Sequence, residues 1–185
     1  MSQKATQPKL KGTNRPLGKD GVMMQVEKRL NVAYGSNLNL SQMAMRCPTA
    51  NVYGKGILEG YKLLFKGQKD NAYCTIEKKR GGKVPVVVWE LQPEDEEALD
   101  FYEGYPRFYE KADVKVTLED GTVVEAMVYV MTDKVLERIL LNLPSRSYLE
   151  SVKEGYEAAG FDVKFIEEAL AISEIAIRKI APKFL

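Results

Sequence analysis

Leu30-Asn31-Val32-Ala33-Tyr34-Gly35-Ser36-Asn37-Leu38 reads as a short apolar strand that runs into a glycine turn, with a short helix following over 39–46. Such a turn presents consecutive backbone N–H groups, and Ser36 and Asn37 add side-chain hydrogen bonds for a small polar ligand. One glycine after a strand is commonly an ordinary tight turn, and Ser and Asn are frequent helix caps. The turn gains meaning from a second stretch, Leu99-Asp100-Phe101-Tyr102-Glu103-Gly104-Tyr105-Pro106, where an acidic helix ends on a carboxylate followed by glycine. A polar cradle and a helix-end carboxylate together point to an enzyme.

Outward from the turn, the chain reads as strands with a few helices. Thr49–Tyr53 and Ile57–Phe65 are strand-like around a Gly-Lys-Gly turn, and Ala72–Glu77 and Val84–Leu91 form the next pair around the charged turn Lys78–Lys83. Pro93 and the cluster Glu94, Asp95, Glu96 and Glu97 have the chemistry of a helix first turn, not of a metal cluster. Val114, Val116 and Leu118 alternate with polar residues up to the turn Asp120-Gly121, after which Val124, Ala126, Val128 and Val130 resume the alternation. Helices are expected over Tyr148–Ala159, ending at Gly160, and over Phe161–Ile180, whose wide apolar stripe suits core packing or a homodimer contact through this C-terminal helix. Trp89 and Phe101 are expected in the core.

Composition bounds the chemistry. The 185 residues are 45% hydrophobic, enough for one buried core, so a single domain is expected over 26–185. Lys4, Lys9, Lys11, Arg15, Lys19, Lys28 and Arg29 outnumber Asp20 and Glu27 near the start, and residues 1–25 read as a flexible basic extension. That extension lacks interleaved aromatics, so nucleic acid is not an expected partner. No apolar run reaches the length of a membrane span and no signal-like core stands at the N-terminus; a cytoplasmic protein is expected. Cys47 and Cys74 are too few and too far apart for a zinc knuckle and read as free thiols. The chain contains no histidine, which removes His-based triads, most zinc hydrolase sites and imidazole acid/base work.

The turn 34–38, the segment Arg46-Cys47-Pro48-Thr49-Ala50, the pattern Leu99-Asp100-x-x-Glu103-Gly104 and Tyr129-Val130-Met131-Thr132 occur in the same order and at similar spacing in the gamma-glutamylcyclotransferase-like family. The chain resembles that family over about residues 30–160. The resemblance implies an α+β fold, a small mixed β-barrel with flanking helices and C-terminal helices, whose cavity holds a gamma-glutamyl group. It implies intramolecular cyclisation of a gamma-glutamyl amide to 5-oxoproline with release of an amine or amino acid, without cofactor or metal. By resemblance Glu103 is the general acid/base, Gly35, Ser36, Asn37 and Leu38 cradle the substrate, Tyr34 walls the pocket, and Tyr109 and Tyr129 match tyrosines around the cavity.

The residues support the same chemistry independently. The substrate's α-amine must lose a proton to attack its own side-chain carbonyl, and the departing nitrogen must gain one; a single carboxyl group can serve both steps. At a helix C-terminus near Asp100, Glu103 is expected to have a raised pKa from the dipole's negative end and from the like charge. The backbone N–H groups of 35–38 would bind either the substrate carboxylate or the reacting carbonyl. Arg46 reads chiefly as a surface helix-end residue. The turn looks like that of enzymes acting on gamma-glutamyl amino acids, whereas Glu103-Gly104-Tyr105-Pro106-x-x-Tyr109 looks more like branches acting on gamma-glutamyl amines, so the leaving group stays open. The family's Gly-Leu-Pro segment is replaced by Gly160-Phe161-Asp162. The alternative reading is a non-catalytic member that binds a small ligand and acts through a partner.

Overall fold

The computed structural model describes residues 28–180. The extension expected over 1–25 and the chain ends at 26–27 and 181–185 lie outside the described residues. The elements run β1 (Arg29–Ala33), a 3-10 turn (Ser36–Leu38), α1 (Leu40–Arg46), β2 (Asn51–Gln68), β3 (Asn71–Leu91), α2 (Pro93–Glu103), β4 (Tyr109–Leu118), β5 (Val123–Met131), α3 (Asp133–Leu136), β6 (Leu140–Leu141), α4 (Arg146–Ala159) and α5 (Lys164–Ile180).

Five strands close into the expected barrel in the order β3-β1-β5-β4-β2, with β2 pairing back onto β3 and β6 added at β2. The β1–β5 pair is parallel and the others are antiparallel, so the barrel is mixed. Strand β1 is paired on one side with β3 and on the other with β5, and its end leads directly into the glycine turn. No described helix is long and apolar enough to cross a membrane.

The expected hairpins around β2 and β3 prove to be one long hairpin, with strands of 18 and 21 residues. Neither Gly54-Lys55-Gly56 nor Lys78–Lys83 reverses the chain. Gly56 lies where β2 passes β4, and a Cβ there would come within 2.4 Å of the Thr117 carbonyl oxygen, so glycine permits a crossing instead of a turn. At the second site Glu59 pairs with Lys83 and Tyr61 with Lys78, so Lys79–Gly82 bulge out opposite Gly60, whose φ is +82°. Charged residues leave the sheet locally without ending the strand.

Helix α2 begins at Pro93 as expected, with acidic residues in its first turn. Asp95 does more than complement the dipole. It is buried and accepts from the Gln92 N–H at 3.0 Å and from the Thr49 hydroxyl at 2.7 Å, tying α2 to the segment after α1. Asp95, Leu99 and Glu103 follow one another at four-residue spacing on the inward face. Phe101, expected in the core, is 91% exposed, because two residues beyond buried Leu99 the helix has turned to its outer side. Trp89 is buried as expected.

The C-terminal helices cover the barrel. Val152, Tyr156 and Ala159 of α4 and Ile166 and Ala169 of α5 are buried, while Ile175 and Ile180 remain exposed. Helix α4 lies tightly on the 3-10 turn at Gly155, where an added Cβ would sit 2.8 Å from both the Leu38 Cβ and the Asn39 N. Asn39 caps α1 by accepting from the Gln42 N–H and reaches α4 by donating to the Ser151 carbonyl and the Glu154 carboxylate. Gly155→Ala is expected to cost about 2 kcal/mol by overpacking this seam and to lower activity by displacing the turn. Urea unfolding midpoints check it; an unchanged midpoint would mean that α4 shifts freely.

Candidate active site

Strand β1 ends at the barrel mouth, and the chain turns at once through Tyr34 and Gly35 into the 3-10 turn. Leu38 N–H donates to the Gly35 carbonyl and Asn39 N–H to the Ser36 carbonyl, which closes the turn. The N–H groups of Ser36 and Asn37 have no partner within it. Trp89, reaching across from β3, donates its indole N–H to the Asn37 carbonyl at 3.0 Å and fixes the backbone. Leu38 is 1% exposed and packs behind the turn against α4, so neither its side chain nor its amide faces the cavity.

Opposite the turn, α2 delivers Glu103 on its last residue. Gly104, at φ +66°, ends the helix there, and Tyr105 N–H returns to the Asp100 carbonyl at 2.9 Å. Around Glu103 the barrel mouth forms a narrow inner chamber of about 40 Å³, lined by Tyr34, Gly35, Ser36, Asn37, Glu103, Tyr109 and Tyr129, together with Val32, Ala33, Cys74 and Tyr148. Of the residues read from the sequence, all but Leu38 meet there. Cys74 and Tyr148 were not anticipated. Tyr148 begins the run Tyr148, Val152, Tyr156 at four-residue spacing, and this inward face of α4 is the one signal that could have pointed to it.

The phenols are structural donors and acceptors in neutral form. Tyr34 donates to the Tyr129 carbonyl at 2.7 Å, Tyr109 to the Cys74 carbonyl at 2.7 Å, and Tyr148 accepts from the Cys74 N–H at 3.1 Å. Burial raises the pKa of Tyr34, Tyr109 and Tyr148 well above the ordinary phenol value. It also pushes the Cys74 thiol up to about 12, so that thiol is protonated at neutral pH and unsuited to nucleophilic attack.

Glu103 differs from them. Burial pushes its carboxyl up to about 7, against the opposing hydrogen bond from Asn37 and the positive charge of Arg46. The expected cause was Asp100 and the helix dipole. Asp100 is instead held by Lys111 at 2.8 Å and by the Tyr129 hydroxyl at 2.6 Å, so its charge is matched away from Glu103, and desolvation takes its place.

Arg46 proves to belong to the site. Its guanidinium donates to the Asn37 Oδ1 at 2.5 Å, to the Ser36 Oγ at 3.4 Å and to the Tyr102 hydroxyl at 2.6 Å, and also bonds Gln42. Asn37 in turn donates its Nδ2 to the Glu103 Oε1 at 2.8 Å. The arginine therefore fixes which way the amide points, and the amide holds one carboxylate oxygen. Arg46→Gln is expected to lower kcat about tenfold and to move the acid limb of the pH–rate profile upward, because a charge that lowers the Glu103 pKa is lost. A pH–rate profile with an unmoved limb would remove this coupling.

A family model described as gamma-glutamyl cyclotransferase, AIG2-like, matches residues 32–150. Gamma-glutamylcyclotransferase of Homo sapiens is 28% identical over 154 residues, covering 79% of this chain and 79% of that protein. The Bos taurus gamma-glutamylcyclotransferase is 30% identical over 115 residues, or 58% of this chain and 61% of its own. A solved gamma-glutamyl cyclotransferase structure matches with a TM-score of 0.68 at 27% identity, covering 78% of this chain and 88% of its own. YkqA from Bacillus subtilis shares the fold, with a TM-score of 0.62 at 17% identity over 80% of this chain and 54% of its own.

Proposed function

The chain belongs to the gamma-glutamyl cyclotransferase, AIG2-like family, and from that premise we propose that it converts a gamma-glutamyl amide to 5-oxoproline, with Glu103 as general acid/base. The observation that carries the proposal is one buried carboxyl facing the chamber, with its pKa pushed up to about 7 and no lysine paired to it among the described residues. A base poised near neutrality takes a proton from an ammonium group at ordinary pH and can return it.

The ionised Glu103 removes a proton from the substrate's α-ammonium. The freed nitrogen attacks the side-chain carbonyl carbon, forming the ring C–N bond, while the carbonyl oxygen takes up negative charge. As the carbonyl reforms, the bond to the amide nitrogen breaks and Glu103 protonates that nitrogen. Over the whole reaction the α-nitrogen loses two protons and the leaving nitrogen gains two, departing as an ammonium ion. The N–H groups of Ser36 and Asn37, which have no partner within the turn, suit the transient oxyanion, whose stabilisation is commonly the largest catalytic contribution. Neutral Tyr34, Tyr109 and Tyr129 shape the chamber without competing for the proton. Two buried free cysteines support a cytoplasmic setting.

The test is a panel of gamma-glutamyl amino acids and amines incubated with the protein, with 5-oxoproline and the free amine read by mass spectrometry. Release of both in equal amounts is expected. A panel with no product would overturn the proposal.

A further inference from the structure

We propose that a second, aromatic-walled space outside the chamber is the leaving-group subsite, and that it selects conjugates of aromatic or large aliphatic amino acids over conjugates of diamines. This rests on the cyclotransferase reading, which left the leaving group open. A wider vestibule of about 390 Å³ shares Glu103 in its wall with the inner chamber. Ser36, Glu103, Tyr109 and Tyr148 border both spaces, whereas Tyr73, Tyr102, Gly104 and Phe108 belong to the vestibule alone. The nitrogen that Glu103 protonates must sit at this border. Whatever that nitrogen carries then extends into the vestibule.

The chemistry of its walls decides what fits. Tyr73 packs edge-on to Tyr148, with centroids 5.1 Å apart at 82°, and to Phe108, 6.2 Å apart at 90°. All three rings are half-buried, so each has apolar surface that a ligand would cover. Because the rings pack edge-to-face on one another, they form an apolar wall in place of an open cage of faces for a cation. Across the opening stands Tyr102, 46% exposed, with the Arg46 guanidinium 3.7 Å from its ring centroid. Glu103 is the only carboxylate among the lining residues. A second ammonium on the leaving group therefore meets no anion among the lining residues except the catalytic carboxyl, and it meets a cation behind Tyr102. An apolar side chain displaces water from the five aromatic rings of the lining, and the carboxylate of an amino acid is the charge that Arg46 favours.

The experiment compares kcat/KM for gamma-glutamyl conjugates of phenylalanine, leucine, glycine and putrescine, and calorimetric affinities of the same four for the Glu103→Gln protein. The phenylalanine conjugate is expected to exceed the glycine conjugate about tenfold, with the putrescine conjugate last, in both measurements. Tyr73→Ala and Phe108→Leu should each shrink the phenylalanine-to-glycine ratio severalfold, a readout insensitive to general loss of folded protein. Turnover of all four without this ranking, or with putrescine first, overturns the subsite and leaves the cyclotransferase reading intact. Binding in the expected order without any turnover supports the subsite and overturns that reading.

Discussion

Glu103→Gln is expected to lower kcat by roughly a thousandfold while gamma-glutamyl substrates still bind. Glutamine preserves the side-chain length and still accepts the Asn37 hydrogen bond through its carbonyl oxygen. It cannot take the α-ammonium proton, and no neighbour substitutes for it. Tyr34, Tyr109 and Tyr148 are held as neutral phenols and Cys74 as a thiol by burial. Asp100 lies outside the chamber lining, with its carboxylate on Lys111 and Tyr129. In the unsubstituted protein kcat/KM should fall about tenfold per pH unit below about 7, as the base becomes protonated. Steady-state kinetics across pH, with calorimetric binding to the variant, checks both statements. A variant retaining a tenth of the activity would remove Glu103 from the proton-transfer role.

What could be read from one dimension follows the range of the forces involved. Glu103 and its helix end were legible because the signal is local: an acidic first turn, a four-residue spacing from Asp95 through Leu99, and a glycine able to hold φ +66°. The turn after β1 was legible for the same reason. Arg46 was misread because its partners, Asn37, Ser36 and Tyr102, are brought to it by the tight turn and by α2, and no spacing encodes that meeting. Cys74 and Tyr148 reach the chamber from β3 and α4 through barrel closure. Leu38 went the other way, since a 3-10 turn of one winding spends its amide and sends its side chain behind the site. The long hairpin escaped detection because glycines usually mark reversals, yet Gly56 and Gly60 serve a crossing and a bulge. The raised Glu103 pKa was anticipated in direction but not in cause: burial is a property of the assembled barrel, whereas the helix dipole and Asp100 could be seen from the sequence.

The same substitution should stabilise the fold at alkaline pH. In the folded protein the Glu103 carboxyl is pushed up to about 7, above the ordinary value of 4.5 that it has in the unfolded chain. Between those values the folded state holds the proton more tightly than the unfolded state. The stability that this group contributes is therefore fully present below pH 4.5 and is lost as pH rises through about 7. At 1.36 kcal/mol per pH unit, the ionised group costs about 3 kcal/mol at pH 8 relative to an unburied glutamate. Glutamine carries no such charge, so Glu103→Gln should raise the unfolding free energy by about 3 kcal/mol at pH 8 and by little at pH 4. Urea unfolding of both proteins at the two pH values measures the difference directly, and groups elsewhere cancel because they titrate alike in each. A gain that is equal at both pH values would mean that the effect comes from packing. A loss at pH 8 would mean that the carboxylate is already compensated by Asn37 and Arg46, and the desolvation that gives the base its pKa would have to be abandoned. The expected gain measures what the fold gives up to keep a charged base in a dry chamber, the trade that a general base at neutral pH requires.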